Sequence, residues 1–173
     1  MHPTSVAESR LSRAARGAAE LAGAEAARAE QDRSLSPEVL GAAQGALAHW
    51  SGYAVQRLRA QAPGAPGPSF YEETLARTAG ELDAARLLLE RADAAAEVTA
   101  LEAARGQRDC ALAADLLVGA VERLFRASGT AGHDEGAVLQ RLWRDIHSAA
   151  GHVVLQFGPS AAAYARHALN PES

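Results

Sequence analysis

The chain has 173 residues, 17 basic and 21 acidic side chains and a formal net charge of -4, a length that suits one compact domain or one unit of a long-helix assembly. About a quarter of the residues are Ala and 5% are aromatic, so the composition favours helices packed through small residues and excludes a β-rich fold. Every basic residue is Arg, and these are interspersed with the acidic ones without a basic stripe, which leaves a nucleic-acid partner without electrostatic support.

Residues 4 to 31 read as an Ala-, Glu- and Arg-rich helix whose apolar face is thin (Val6, Leu11, Leu21) and marginal on its own. This divides the chain into a helical arm over 1–34 and a bundle over 35–173. The opening stretch lacks the apolar core of a signal peptide, and no later run reaches the roughly 20 apolar residues of a membrane span. A cytoplasmic protein with no membrane partner is therefore expected. Ser36, Pro37 and Glu38 make a helix start, with a capping hydroxyl, a proline at the first helical position and an acid at the positive end of the dipole. The helix that follows is expected to run to about Gln61, with Leu40, Ala43, Leu47, Trp50, Ala54 and Leu58 on one face. PGAPGPS at 63–69 breaks it.

From Ser69 to Ala104 the chain has no Pro and only Gly80, and Leu75, Leu82, Leu88, Leu89, Ala92 and Ala96 recur at helical spacing. That pattern predicts one helix of about 35 residues, roughly 50 Å long. ARGQRD at 104–109 is expected to turn the chain into an antiparallel helix carrying Leu112, Leu116, Leu117, Val121, Leu124 and Phe125, and SGTAGHDEG at 128–136 ends that helix. A further helix is expected from about Glu135 to Phe157, interrupted by Gly158-Pro159, and a last one from about Ser160 to Leu169. The fold class is all-α, an up-and-down four-helix bundle with an extra N-terminal helix. The single Cys110 can form neither an intramolecular disulfide nor a Cys-based zinc site.

The helix from Glu135 carries the chemistry. Arg141, Asp145, Ser148, His152 and Gln156 are spaced by 4, 3, 4 and 4 residues and so form one polar stripe, beside Leu139, Leu142, Ile146, Ala149, Val153 and Phe157. A few polar groups set in an apolar wall suit a small-molecule cavity. The same spacing equally describes a face turned to water, with Arg141 and Asp145 as an exposed ion pair. His152 is the candidate for proton transfer, with Asp145 or Ser148 placed to fix its tautomer. His147, four residues after Trp143, suits a stacking or interface position, and His133 and Asp134 fall in a loop. His49, Trp50 and Tyr53 either line the same cavity or simply pack. No HExxH, paired Glu-x-x-His, GxSxG, phosphate-binding Gly-rich loop or nucleophilic Cys signature is present, and no metal is expected.

The stretch from ELDAARLLLERADAAAE through AADLLVGAVERLFRASGTAGHDEGAVLQRLWRDIHSAAGH resembles the carboxy-terminal helical domain of the acyl-CoA dehydrogenase superfamily. The likeness is closest to its flavin-dependent monooxygenase branch, in which an LDAAR helix, a Gly-containing turn and an R-x-W-R-D helix followed by a His recur in this order. It covers roughly residues 37 to 169, and residues 14 to 40 also look like the superfamily's opening helices. In that branch the His after the W-R-D motif sits near the reactive edge of the flavin and the substrate. The resemblance carries this role to His152, with Trp143, Arg144 and Asp145 at the motif itself. The dehydrogenase branch has a catalytic Glu in this neighbourhood where this chain has Val153 and Val154, so α,β-dehydrogenation is not implied.

Superfamily members are more than twice this length, and their middle β-domain supplies most contacts to the flavin ring. The resemblance therefore implies a subunit or accessory component of a flavin-dependent oxidoreductase rather than a self-sufficient flavoenzyme. Catalysis is expected from His152, Asp145 and Ser148, with Trp143, Arg144, Arg141, Gln156 and Trp50 lining the substrate or cofactor. A flavin, FAD or FMN, shared with a partner chain is implied, along with a homo-oligomer or full-length flavoprotein partner and a small hydrophobic acyl or polyketide-like substrate. Two alternatives stay open: a flavin-free cyclase, dehydratase or isomerase of specialised metabolism using the His152/Asp145 stripe, and a non-catalytic ligand-binding or interaction module.

Overall fold

The computed structural model describes residues 37–60, 66–94, 99–129, 138–151 and 156–169, and the described residues form five helices and no strand. These are α1 (37–60), α2 (Pro68–Asp93), α3 (Ala100–Ala127), α4 (Val138–Ala150) and α5 (Phe157–Leu169). The all-α class follows from the composition. The expected arm over 1–34 lies outside the described residues.

α3 is the central element and packs against α2, α4 and α5. Its buried face is made largely of small residues, Cys110, Ala113, Ala114, Leu117, Ala120, Val121 and Leu124. Tyr71, Thr74, Thr78, Leu82, Ala85 and Leu89 of α2 lie opposite in the core. α1 closes this core with Val39, Ala43, Ala46, Trp50 and Ala54. Many of these are alanines with no exposure at all. Small side chains let helix axes approach closely, and the volume is filled by a few large residues such as Trp50, Leu117, Leu124 and Ile146.

Several expected boundaries are corrected. The single helix over 69–104 is two: α2 ends at Asp93, and α3 starts at Ala100 after Thr99. Thr99 Oγ1 accepts a hydrogen bond from the Glu102 backbone N–H at 3.2 Å, and a Glu102 carboxylate oxygen accepts from the Thr99 N–H at 3.0 Å. This capping box satisfies two N–H groups that a helix start otherwise leaves unpaired. ARGQRD is not a turn but the first half of α3, which puts Asp109 in the interior. The helix expected to reach Phe157 ends at Ala150, and α5 begins at Phe157, taking Gly158 and Pro159 into its first turn, where proline needs no N–H partner. Leu58, expected on one face with Trp50 and Ala54, and Leu112 of α3 are each 37% exposed.

α3 stops where Gly129 adopts φ 57°, a left-handed conformation that glycine takes without penalty. Its N–H donates to the Arg126 carbonyl at 3.1 Å. Ser128 is buried, and its hydroxyl donates to the Leu124 carbonyl at 2.9 Å. Tyr53 of α1 donates from its phenol to the Ser128 carbonyl at 3.2 Å, tying the end of α1 to the end of α3.

Candidate functional site

α4 sits on the second half of α3 through one aromatic and polar cluster. Trp143 stacks on Phe125 of α3, ring centroids 5.5 Å apart, and on His147 at 4.1 Å. A half-buried indole must find an acceptor for its N–H, and here the Trp143 Nε1–H donates to Glu122 at 2.7 Å. Arg126 donates from Nε to the other oxygen of the same carboxylate at 2.8 Å. These donors, the indole first, hold the Glu122 pKa below the usual carboxylate range, and charge on Arg126 and His147 acts in the same direction.

Arg126 also stands at the junction of two adjoining grooves. One, about 470 Å³, lies between α2 and α3 and is lined by Phe70, Thr74, Gly119, Glu122, Arg123 and Ala127 together with Arg126. The other, about 320 Å³, opens at the end of the bundle, where Arg126 meets Tyr53, Arg57, Phe70, Tyr71 and Ser128. Phe70 is 40% exposed in their common wall. Arg57 lies over the Tyr53 ring, 6.0 Å from its centroid, and its Nε is buried without a described hydrogen-bond partner. Arg123 makes two hydrogen bonds to Glu81 of α2 and is spoken for. Two guanidiniums that keep unpaired donors among the described residues, beside the exposed Phe70 ring, can hold an anionic group attached to a flat apolar body.

The residues expected from the sequence are only partly brought together. Arg141, Arg144, Asp145 and Ser148 are exposed on the outer face of α4, so the stripe is turned away from the core of this chain. Gln156 is exposed just before α5, where its carbonyl accepts from the Ser160 hydroxyl at 3.2 Å. His152 and Val153 lie outside the described residues, as do His133 and Asp134. Trp143 is at the α3–α4 contact. Trp50 is 1% exposed and packs in the core against Tyr71, its indole nitrogen without a described partner. His147 takes the stacking position its spacing from Trp143 suggested. Among the described residues no cluster of His, Cys, Asp or Glu could hold a metal ion, and no helix is long and apolar enough to cross a membrane.

Glu122, Arg126, Arg57 and Phe70 were not singled out from the sequence. Glu122 and Arg126, four apart and just before a Ser-Gly turn, read as an ordinary solvated helix pair. The available signal was Trp143, whose indole requires a facing acceptor, and the preceding helix offers a carboxylate.

The family model for the acyl-CoA dehydrogenase C-terminal domain matches residues 33–157. The chain belongs to this family. Among curated proteins it is 31% identical over 129 residues to the flavin-dependent monooxygenase oxygenase subunit HsaA of Mycobacterium tuberculosis, a match covering 69% of this chain and 33% of that protein. The chain thus spans about a third of the curated relative's length. Among solved structures it is similar to the HsaA monooxygenase from M. tuberculosis, with TM-score 0.73, 26% identity and coverage of 83% of this chain and 40% of the other. It is similar to XiaF from Streptomyces sp., solved in complex with FADH2 and glycerol, with TM-score 0.69, 27% identity and coverage of 86% and 40%. The 3-HSA hydroxylase from Rhodococcus sp. RHA1 shares the fold at TM-score 0.74, with 24% identity and coverage of 83% and 39%.

Proposed function

We propose that the chain is a subunit or accessory component of a flavin-dependent oxygenase acting on a small hydrophobic acyl or polyketide-like substrate. In this reading it forms the helical wall of a site whose other walls come from a flavoprotein partner. The observation that carries the reading is the setting of the W-R-D segment. It lies on α4 of a family fold, and its Trp143 is linked through Glu122 to Arg126, at the lip of a groove that Arg57 also lines. The similarity to oxygenase subunits, one of them solved with FADH2, supports the same reading.

The residues present fit a flavin's phosphate: among the described residues Arg57 Nε has no hydrogen-bond partner, and Arg126 engages Glu122 through Nε alone. A flavin held there would supply the electrons with which dioxygen is reduced. Arg57 and Arg126 would bind the anionic end, and Tyr53 and Phe70 would exclude water beside it. Asp145 and Ser148, with His152, are assigned to proton handling. Arg141, Arg144, Gln156 and Trp143 line the face that a partner covers, and Trp50 supports that wall from within the core. The outward stripe favours this reading over a flavin-free enzyme working inside the bundle, because an acid-base pair open to water on one side needs a covering surface before it can exclude solvent.

The test is thermal unfolding of the full chain with and without anaerobically reduced FAD or FMN. A ligand at 100 times its Kd stabilises the folded state by about 2.7 kcal/mol, so a Tm rise of about 5–10 °C is expected. The rise should vanish in the double variant Arg57→Ala/Arg126→Ala. No shift with either flavin, combined with no flavoprotein co-purifying from the host, overturns the proposal.

A further inference from the structure

α1 departs from the other helices in what it shows to the outside. α2 turns Glu73, Asp83 and Glu90 outward, and α4 turns out Arg141, Arg144 and Asp145, as helices facing water do. α1 has no Asp, Glu, Lys or Arg from Val39 to Gln56. Its face away from the core runs through Gly41, Gly45, Ala48, Gly52 and Val55, spaced by 4, 3, 4 and 3 residues. All five are exposed, Val55 at 44%. Glycine weakens a helix interior relative to alanine. No described atom lies within 4 Å of a Cβ built on Gly41 or Gly52, so packing among the described helices gives no reason for either. At Gly45 the nearest atom is a methyl carbon of Leu142, 3.8 Å away, so α4 borders this face on one side only.

We propose that this face is the seat of the chain's own N-terminal arm, residues 4–31, lying antiparallel to α1. Residues 1–36 lie outside the described residues and end where α1 begins. Read as a helix, 4–31 spans about 42 Å, against about 36 Å for α1. Residues 32–36 remain to turn the chain, a length usual between antiparallel neighbours. That turn brings Ala26, Ala22, Ala19, Ala15 and Ser12 opposite Gly41, Gly45, Ala48, Gly52 and Val55 in order, with the same spacing on both helices. The charged residues Arg10, Arg13, Arg16, Glu20, Glu25 and Arg28 all fall off this side of the arm. One turn beyond Ser12 and Val55, Glu8 comes opposite the exposed Arg59, an acid facing a base at the far end of the pairing. Small residues on both sides let two helix axes approach closely, a use for glycine that an open face does not have. The fit is made by alanines and glycines, so an arm with few large apolar side chains still has a partner.

A second copy of α1 offers the same small residues. The arm has the advantage of its tether: five residues of connection give it an effective concentration of about millimolar, which free chains do not reach. Tyr53 and Arg57, which line the groove at the end of the bundle, lie on other sides of α1 by their spacing. The docked arm is tested without flavin and stands or falls separately from the oxygenase reading.

The experiment uses the full chain with cysteine pairs. A disulfide needs Cα atoms about 4.4–6.8 Å apart, a separation that closely packed small-residue helices reach. Ala15→Cys/Gly52→Cys is expected to close a disulfide within one chain. Its equilibrium constant against glutathione should be at least about tenfold above that of Gly17→Cys/Gly52→Cys, whose first cysteine falls on the far side of the arm. Cys110 stays in place in both, since it is 3% exposed. Gly52→Gln puts a better helix former on α1 and would not weaken a face open to water. Under a docked arm it is expected to lower Tm by about 3–6 °C, because the added side chain pushes the arm away. Trypsin should then cut after Arg13 and Arg16 about tenfold faster than in the unsubstituted chain. Disulfide-linked dimers in place of cross-linked monomers assign the face to a second copy and overturn the proposal. Equal constants for the two cysteine pairs, or a Tm unchanged or raised in Gly52→Gln, overturn it as well.

Discussion

Asp109 is 1% exposed, yet it is a charged residue in the middle of a helix. It persists there because Arg108 reaches one oxygen at 2.6 Å and Arg91 of α2 reaches the other at 2.7 Å. Arg108 in turn lies 4.4 Å from the centroid of the Tyr164 ring of α5, so one carboxylate links three helices. The two partners are unequal to the acid in their freedom, since Arg91 is 56% exposed and can turn to water while Asp109 cannot. Removing both arginines therefore strands a buried charge, whereas removing the acid releases two cations that can rehydrate. Arg91→Ala/Arg108→Ala is expected to lose about 3–5 kcal/mol, and Asp109→Ala clearly less, as read from urea denaturation midpoints. A double-arginine variant no less stable than Asp109→Ala would contradict this. The cluster was hidden in the sequence because ARGQRD, with Gly and alternating charges, has the composition of a turn. Only its position one turn after the Thr99-x-x-Glu102 cap shows it to be helix. Arg141, Asp145 and Ser148 were legible as one face of α4, but spacing alone does not say what covers a face.

At the scale of elements, the break between α2 and α3 teaches the same lesson from the other side. Leu89, Ala92 and Ala96 keep helical spacing across it, and alanine is so good a helix former that periodicity gives no warning. The warning lay in Thr99 and Glu102, which form the capping box. Thr99→Ala is expected to lower Tm by about 2–4 °C, the effect of losing one N-cap in a domain of this size. The pH dependence of that difference follows from Glu102, whose pKa is lowered chiefly by the hydrogen bond from the Thr99 backbone and then by the Thr99 hydroxyl. A lowered folded pKa stabilises above the unfolded value, and that contribution is lost as the pH falls through the folded one. The variant keeps the backbone bond and loses the hydroxyl's two, one to the carboxylate and one from the Glu102 N–H, so the Tm gap should be largest near neutrality and narrow in acid without closing. A gap that is constant from pH 7 to pH 3 would mean that the cap acts without its carboxylate.

The whole molecule divides into a well-buried centre and a thinly held edge. Composition announced the all-α class, and the LDAAR and W-R-D stretches announced the family. Neither told how unevenly burial would be shared, because that depends on which faces meet. α2 and α3 bury a continuous row of residues against each other along most of their length. α5 buries only Ser160, leaves Phe157 and Leu169 at 41% and 78% exposure, and is fixed to α3 mainly by half-buried alanines and by Tyr164 against Arg108. Local opening free energy follows the apolar contacts that opening must break, so α5 should open without unfolding α2 or α3. Hydrogen exchange followed by mass spectrometry is expected to show residues 157–169 exchanging at least about a hundredfold faster than the paired centres of α2 and α3, a gap of about 2.7 kcal/mol in opening free energy. Arg108→Ala should widen the gap further by removing the cation beneath Tyr164. Equal protection across α3 and α5 would show that α5 is part of the cooperative core. A rise in α5 protection on adding a flavoprotein partner would identify this edge as the side from which the bundle is covered.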